Sequence, residues 1–111
     1  PKVSSLDAKK KWIIGSLSSN GTIKIDYGAS KALRGGKSLL AAGITRIDGF
    51  FNKGENVLII DQDNNQLARG LSSFSSEEIN KIKGKQSKEI EKILGYLSKT
   101  EIIHKDDMVL L

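Results

Sequence analysis

Asp26-Tyr27-Gly28-Ala29-Ser30-Lys31-Ala32-Leu33-Arg34-Gly35-Gly36-Lys37-Ser38-Leu39-Leu40-Ala41-Ala42-Gly43-Ile44-Thr45-Arg46-Ile47-Asp48-Gly49-Phe50-Phe51 is the stretch on which the fold of this chain turns. Asp26 stands where a helix cap is wanted; Ala29, Ala32 and Leu33 are spaced for one short helix, and Gly35-Gly36 stops it. Lys37 to Gly43 leaves no room for a long helix. Ile44-Thr45-Arg46-Ile47 then resumes the alternation of a half-buried strand, and Gly49 is expected to mark a bulge or a close approach near its end. Gly36-Lys37-Ser38 looks like the end of a phosphate-binding P-loop, but that motif needs a glycine where Lys31 stands, so that successive backbone N–H groups can turn around the phosphates. The helix that should begin at the Lys-Ser pair is also missing, since Gly43 and Ile44 follow almost at once.

Outward from this stretch, 111 residues make one small domain, long enough to bury roughly two-thirds of its unfolded surface in one core. There is no cysteine, which excludes a disulfide framework and thiolate metal sites and favours a cytoplasmic location. No apolar run approaches the roughly 20 residues of a membrane helix, and the charged start lacks the apolar stretch of a signal peptide, so no membrane partner is expected. The net charge is +5; residues 1–60 carry ten Lys or Arg against four acids, and residues 61–111 eight against nine. This balance suits a polyanion partner, and equally the solubility of a small domain.

Ser5 to Ile14 reads as an N-capped short helix ended by Gly15, with Trp12 as an anchor onto the domain, and the abrupt start at Pro1 suggests a piece of something longer. Asn20-Gly21 turns into a strand at Thr22–Ile25, and Asn52 to Asn56 turns into Val57–Ile60, an apolar run expected to be covered on both faces. Asp61-Gln62-Asp63-Asn64-Asn65 resembles the opening of a calcium loop but lacks the sixth-position glycine and the closing glutamate, so it is expected to be a hairpin turn into Leu67–Leu71. Ser75-Ser76-Glu77-Glu78 forms a capping box ahead of Ile79 and Ile82, with Gly84 as the stop. Ser87 is expected to repeat the device ahead of Ile90, Ile93 and Leu94, with Gly95 as the stop, and the alternating charges of both helices read as a solvated face. Glu101–His104 and Met108–Leu111 are two short closing strands. The pattern is mainly β: a small, mostly antiparallel barrel or partly closed sheet with short peripheral helices.

The catalytic inventory is thin. His104 is the single histidine, without the further ligands a metal wants, and reads as a cap on a turn or strand end. Glu77-Glu78 and Asp106-Asp107 are sequence neighbours whose side chains point different ways, which does not suit acid–base work. The cationic inventory is richer: Lys31, Arg34, Lys37, Arg46 and Lys53 gather along the opening stretch, and with Ser38 and Arg69 they form the candidate surface for RNA or a protein partner. Tyr27, Phe50 and Phe51 are the aromatics near enough to stack on bases, with one or two of them expected in the core.

Gly36-Lys37-Ser38-Leu39-Leu40-x-x-Gly43-Ile44, Gly49-x-Phe51-x-x-Gly54-x-x-Val57 and Ala68-x-Gly70 together resemble the signature of the PUA domain, an RNA-binding pseudobarrel. More narrowly, Trp12-x-x-Gly15, Asp26-x-Gly28-Ala29-x-x-Ala32-Leu33, Ala68-Arg69-Gly70-Leu71, Ser75-Ser76-Glu77-Glu78, Leu94-Gly95-Tyr96 and Glu101-x-x-His104-x-Asp106-Asp107 are similar, in that order, to the C-terminal PUA domain of the bacterial glutamate 5-kinase family. The resemblance implies residues 1–17 as the end of an interdomain linker and 18–111 as the PUA domain. It also implies a preceding amino-acid kinase domain that binds ATP, magnesium and glutamate, makes glutamyl phosphate for proline synthesis and is inhibited by proline. This segment would then be non-catalytic, hold no cofactor, and act as a regulatory or interaction module of the kinase, with RNA binding through the basic 31–53 surface as the alternative.

Overall fold

Ile23 and Ile25 are fully buried while Thr22 and Lys24 are only half-buried, so Gly21–Ile25 folds as a strand with one face on the core (β1). The computed structural model describes residues 21–95 and 100–111; the expected Trp12 helix, the linker boundary at 17 and Tyr96 lie outside these. After β1 come the helix Tyr27–Arg34 (α1), the strand Leu39–Leu40 (β2), a 3-10 turn at Ala41–Gly43, and the strands Ile44–Gly49 (β3), Asn56–Ile60 (β4) and Gln66–Leu71 (β5). Two helices, Ser76–Ile82 (α2) and Ser87–Leu94 (α3), precede Glu101–Ile103 (β6), a 3-10 turn at Lys105–Asp107 and Met108–Leu110 (β7).

Five strands form one sheet in the order β3-β1-β4-β5-β7, and β2 pairs with β6 in a second, two-stranded sheet. Every pairing is antiparallel except β1 with β4, which run parallel, with α1, β2 and β3 supplying the long crossover that a parallel pair needs. The expected mainly-β architecture with peripheral helices is what forms.

The bulge lies at Thr45 and not at Gly49. Ile44 and Ile47 both belong to the core side but stand three residues apart, which a strand of period two cannot satisfy. The ladder therefore pairs Lys24 with Arg46 and Ile25 with Ile44, leaving Thr45 over, and its hydroxyl donates to the Lys24 carbonyl at 3.2 Å. Gly49 adopts φ +88° opposite Gly21, where the close approach falls: a Cβ on Gly21 would lie 2.4 Å from the Phe51 ring.

β4 is not covered equally on both faces. Val57 and Ile59 are fully buried, whereas Leu58 and Ile60, on the opposite face, are half-buried. Between the sheets, Leu33 of α1, Leu39, Ile44, Phe51, Phe74, Ile79 and Ile82 of α2, Ile90 of α3 and Ile102-Ile103 close a single core.

Helix ends follow the capping chemistry with one shift. Ser75 Oγ accepts from Glu78 N–H at 3.2 Å and Glu78 Oε1 accepts from Ser75 N–H at 2.9 Å, the expected box for α2. For α3 the capping residue is Gln86 and not Ser87. Gln86 has the extended backbone of a cap, so Glu89 falls at the third helical position, where its carboxylate accepts from Gln86 N–H at 3.2 Å. The start of α2 is joined to Phe51 (Ser76 N–H to its carbonyl, 2.9 Å), and just past its end Gly84 N–H donates to the Ala41 carbonyl at 2.7 Å. Both ends of α2 are thereby fixed near the two ends of β3.

Candidate functional site

A groove of about 400 Å3 opens between α1 and β2. Ala29, Ala32, Leu39 and Ala42 give it apolar walls; Asp26, Lys37, Ser38 and Glu101 bring polar groups to it. A concavity of similar volume between Leu33, Gly36, Lys105 and Leu110 has fewer convergent polar groups.

The groove follows from local rules. Asp26 caps α1, its Oδ1 accepting from Ala29 N–H at 2.7 Å, and its own N–H donates to the Gly43 carbonyl at 2.9 Å. One residue thus starts the helix and holds it against the Ala41–Gly43 turn. The two segments touch closely: a Cβ on Gly43 would lie 2.4 Å from the Ala29 Cβ. At the other end of α1, Gly36 takes φ +83° and donates to the Leu33 carbonyl at 2.9 Å, and Lys37 N–H donates to the Ala32 carbonyl at 3.1 Å. This return brings Lys37 back to the groove.

Ser38 Oγ accepts from Lys105 N–H at 2.8 Å, which joins the start of β2 to the turn before β7. Gly36-Lys37-Ser38 runs into a strand, and among the described residues no three His, Asp or Glu side chains form a metal-ligating group. The helix that a P-loop needs at its Lys-Ser pair is not there.

Of the seven candidate contact residues, Lys37 and Ser38 line the groove. Lys31 and Arg34 are exposed on α1, and Arg34 Nη2 lies 3.9 Å from Asp61 Oδ2 across the β4–β5 turn. Arg46 lies on the exposed face of β3 with its Nε 3.1 Å from Asp48 Oδ1. Lys53 sits in the β3–β4 turn, at the end of the sheet where β1 begins and away from α1. Arg69 lies on β5 between Leu58 and Val109, three strands from Arg46 and so about 14 Å across the sheet. The candidates that are close in sequence are therefore spread over several faces. Phe51 is buried, while Tyr27 and Phe50 are 78% and 81% exposed.

Two features of this region were not legible beforehand. Glu101 reaches the groove because β6 pairs with β2, a contact between distant parts of the chain. The α2–α3 turn, Lys81-Ile82-Lys83-Gly84-Lys85-Gln86-Ser87-Lys88, lies against the groove's 3-10 turn through the Gly84–Ala41 hydrogen bond. Its four lysines without an acid are visible in the sequence, but the charges of the two helices read together as alternating in sign, which hides the acid-free run between Glu78 and Glu89.

Asp61 resolves the other loop question. Its Oδ1 accepts from Asp63 N–H and Asn65 N–H, both at 2.9 Å, and Oδ2 from Asn65 Nδ2 at 3.2 Å, so its oxygens face the turn's own donors. The Asn65 backbone bond is the main cause that lowers the Asp61 pKa, helped by the Asn65 side chain, the Asp63 N–H and Arg34, against an opposing effect of desolvation. The segment is the expected hairpin turn. His104 also behaves as read: its Nδ1 accepts from Asp106 N–H at 3.1 Å and caps the 3-10 turn.

The chain is 62% identical over 109 residues, 98% of its length, to a glutamate 5-kinase of Pelagibacter ubique, and spans 30% of that relative. A crystallised PUA domain from Aeropyrum pernix K1 superposes over 77% of this chain and 41% of its own with TM-score 0.58 at 19% identity. An H/ACA ribonucleoprotein bound to a substrate RNA contains a chain that superposes over 76% of this one and 22% of its own, with TM-score 0.55 at 18% identity. No described helix is long and apolar enough to cross a membrane. The family model of the PUA domain matches residues 21–94, from the first residue of β1 to the last of α3, and with the pseudobarrel in place the chain belongs to the PUA domain family.

Proposed function

We propose that this chain is the C-terminal PUA portion of a glutamate 5-kinase and acts there as a regulatory and interaction module. The carrying observation is 62% identity through nearly the whole chain to a glutamate 5-kinase of which it spans 30%. In this reading, ATP, magnesium and glutamate are handled by the amino-acid kinase domain of a longer cytoplasmic protein making the glutamyl phosphate used in proline synthesis. The PUA portion contributes surfaces and no reacting groups, in keeping with a groove in which Asp26 Oδ1 caps α1 and Ser38 Oγ accepts from the Lys105 backbone. The test is the parent enzyme with and without residues 21–111. The reading expects proline inhibition, magnesium dependence or oligomeric state to change on removal, and unchanged values of all three would end it.

A second reading, RNA binding at the groove, is favoured by Lys37 beside an apolar cleft of about 400 Å3 and by the RNA-bound particle among the structural neighbours. Titration of a structured RNA at two salt concentrations should give a complex that Lys37→Ala weakens. Absence of binding even at low salt rejects it.

A further inference from the structure

We propose that the α2–α3 turn is a second RNA-contacting element, which grips backbone phosphates beside the groove; this rests on the RNA reading of the groove. Lys81, Lys83, Lys85 and Lys88 are all exposed, and the segment from Ile79 to Lys88 holds no acid. Among the described residues none of the four is in an ion pair, and Lys83 Nζ only shares a hydrogen bond with Asn80 Oδ1 at 3.3 Å. Arg34 and Arg46, by contrast, already face Asp61 and Asp48. The turn is therefore a stronger source of unspent positive charge than the arginines of the opening stretch.

Its position is set by the backbone. Gly84, at φ +77°, places its N–H 2.7 Å from the Ala41 carbonyl, so Lys83 and Lys85 flank the residue bonded to the turn that supplies Ala42 and Gly43 to the groove. Lys37 stands elsewhere on the same groove, among the residues of the β2 side. Phosphates of a strand that leaves the groove over its Ala42–Gly43 wall would meet the lysine turn, which is bonded to the adjoining Ala41. Lysine suits this role: a compact point charge that neutralises phosphate without reading a base. An acidic polypeptide would use the same charges, but the groove beside them, with its apolar walls and Lys37, matches a base-bearing polyanion better.

The test uses this chain and a fluorescent RNA hairpin with a single-stranded end, titrated between 50 and 200 mM salt. Lys83→Ala/Lys85→Ala should leave binding measurable, weaken it about tenfold at low salt, and lower the slope of log K against log salt by about 1.4 to 1.8, two phosphates' worth. Lys83→Arg/Lys85→Arg should restore the slope, since the charge is kept. If Lys37→Ala weakens binding while the double alanine variant leaves affinity and slope unchanged, the turn is not a contact and the groove reading stands alone. If no RNA binds, both fall. Lysine-dependent binding of polyglutamate with none of RNA would also overturn the proposal, making the partner an acidic polypeptide.

Discussion

Asp26 and Gly43 are joined backbone to backbone, Asp26 N–H to the Gly43 carbonyl at 2.9 Å, so the residue that caps α1 also fixes the opposite wall of the groove. Asp26→Ala removes the side-chain cap but not this backbone bond. It should lower stability by about 1 kcal/mol in urea unfolding, and Asp26→Asn, whose side-chain oxygen can still accept from Ala29 N–H, should recover most of the loss.

Gly43→Ala should destabilise by about 1 to 3 kcal/mol, because the new methyl would stand 2.4 Å from the Ala29 Cβ and 3.6 Å from its Cα. Removing the opposing methyl tests the cause. In Gly43→Ala/Ala29→Gly the two losses should be less than additive, since the second change frees the space that the first needs.

Adjacent phenylalanines should behave oppositely. Phe51 is buried against Gly21, and Phe51→Ala should cost about 3 to 5 kcal/mol. Phe50 is 81% exposed, and Phe50→Ala should stay within about 0.5 kcal/mol. Chemical denaturation of both variants checks the pair.

Asp61 sets a pH signature. Its carboxylate is held below its ordinary value of 3.8 in the folded chain, so folding favours the ionised form. The stabilisation is fully present above that ordinary value and is lost as the pH falls through the lower folded one. Thermal melts from pH 6 down to pH 2 should show this acid loss in the parent chain and a shallower one in Asp61→Asn, which no longer titrates at this site.

The local devices were legible because they are written in neighbouring residues. The caps at Asp26 and Ser75, the stop at Gly35-Gly36, the hairpin turn at Asp61 and the cap at His104 each depend on side chains within a few positions of the backbone they satisfy. The errors were also local in origin. Ser87 is the better capping residue by type, yet the chain turns extended at Gln86; the spacing of Ile44 and Ile47 adds a bulge at Thr45 that was not expected, while Gly49 stands at the close approach, one of its two expected roles.

The candidate surface was less legible, since nearness in sequence does not decide which face a side chain takes. The pairing of β3 with β1 sends Arg46 to the sheet's exposed face, and the sheet order carries Arg69 across it. Lys37 stays at the groove because Gly36 returns the chain.

By itself, the sequence determined the helices and the strands of the described residues, though not β2, and the absence of a P-loop, which rest on periodicity, capping and residue type over short spans; its ordered motifs carried the PUA resemblance. The tertiary structure alone decided that β1 and β4 run parallel, that Glu101 enters the groove and that the lysine turn is bonded to Ala41, next to the groove's Ala42 and Gly43. Those depend on strand pairings and one backbone hydrogen bond between residues far apart in the chain, which arise when the core closes and which no local pattern encodes.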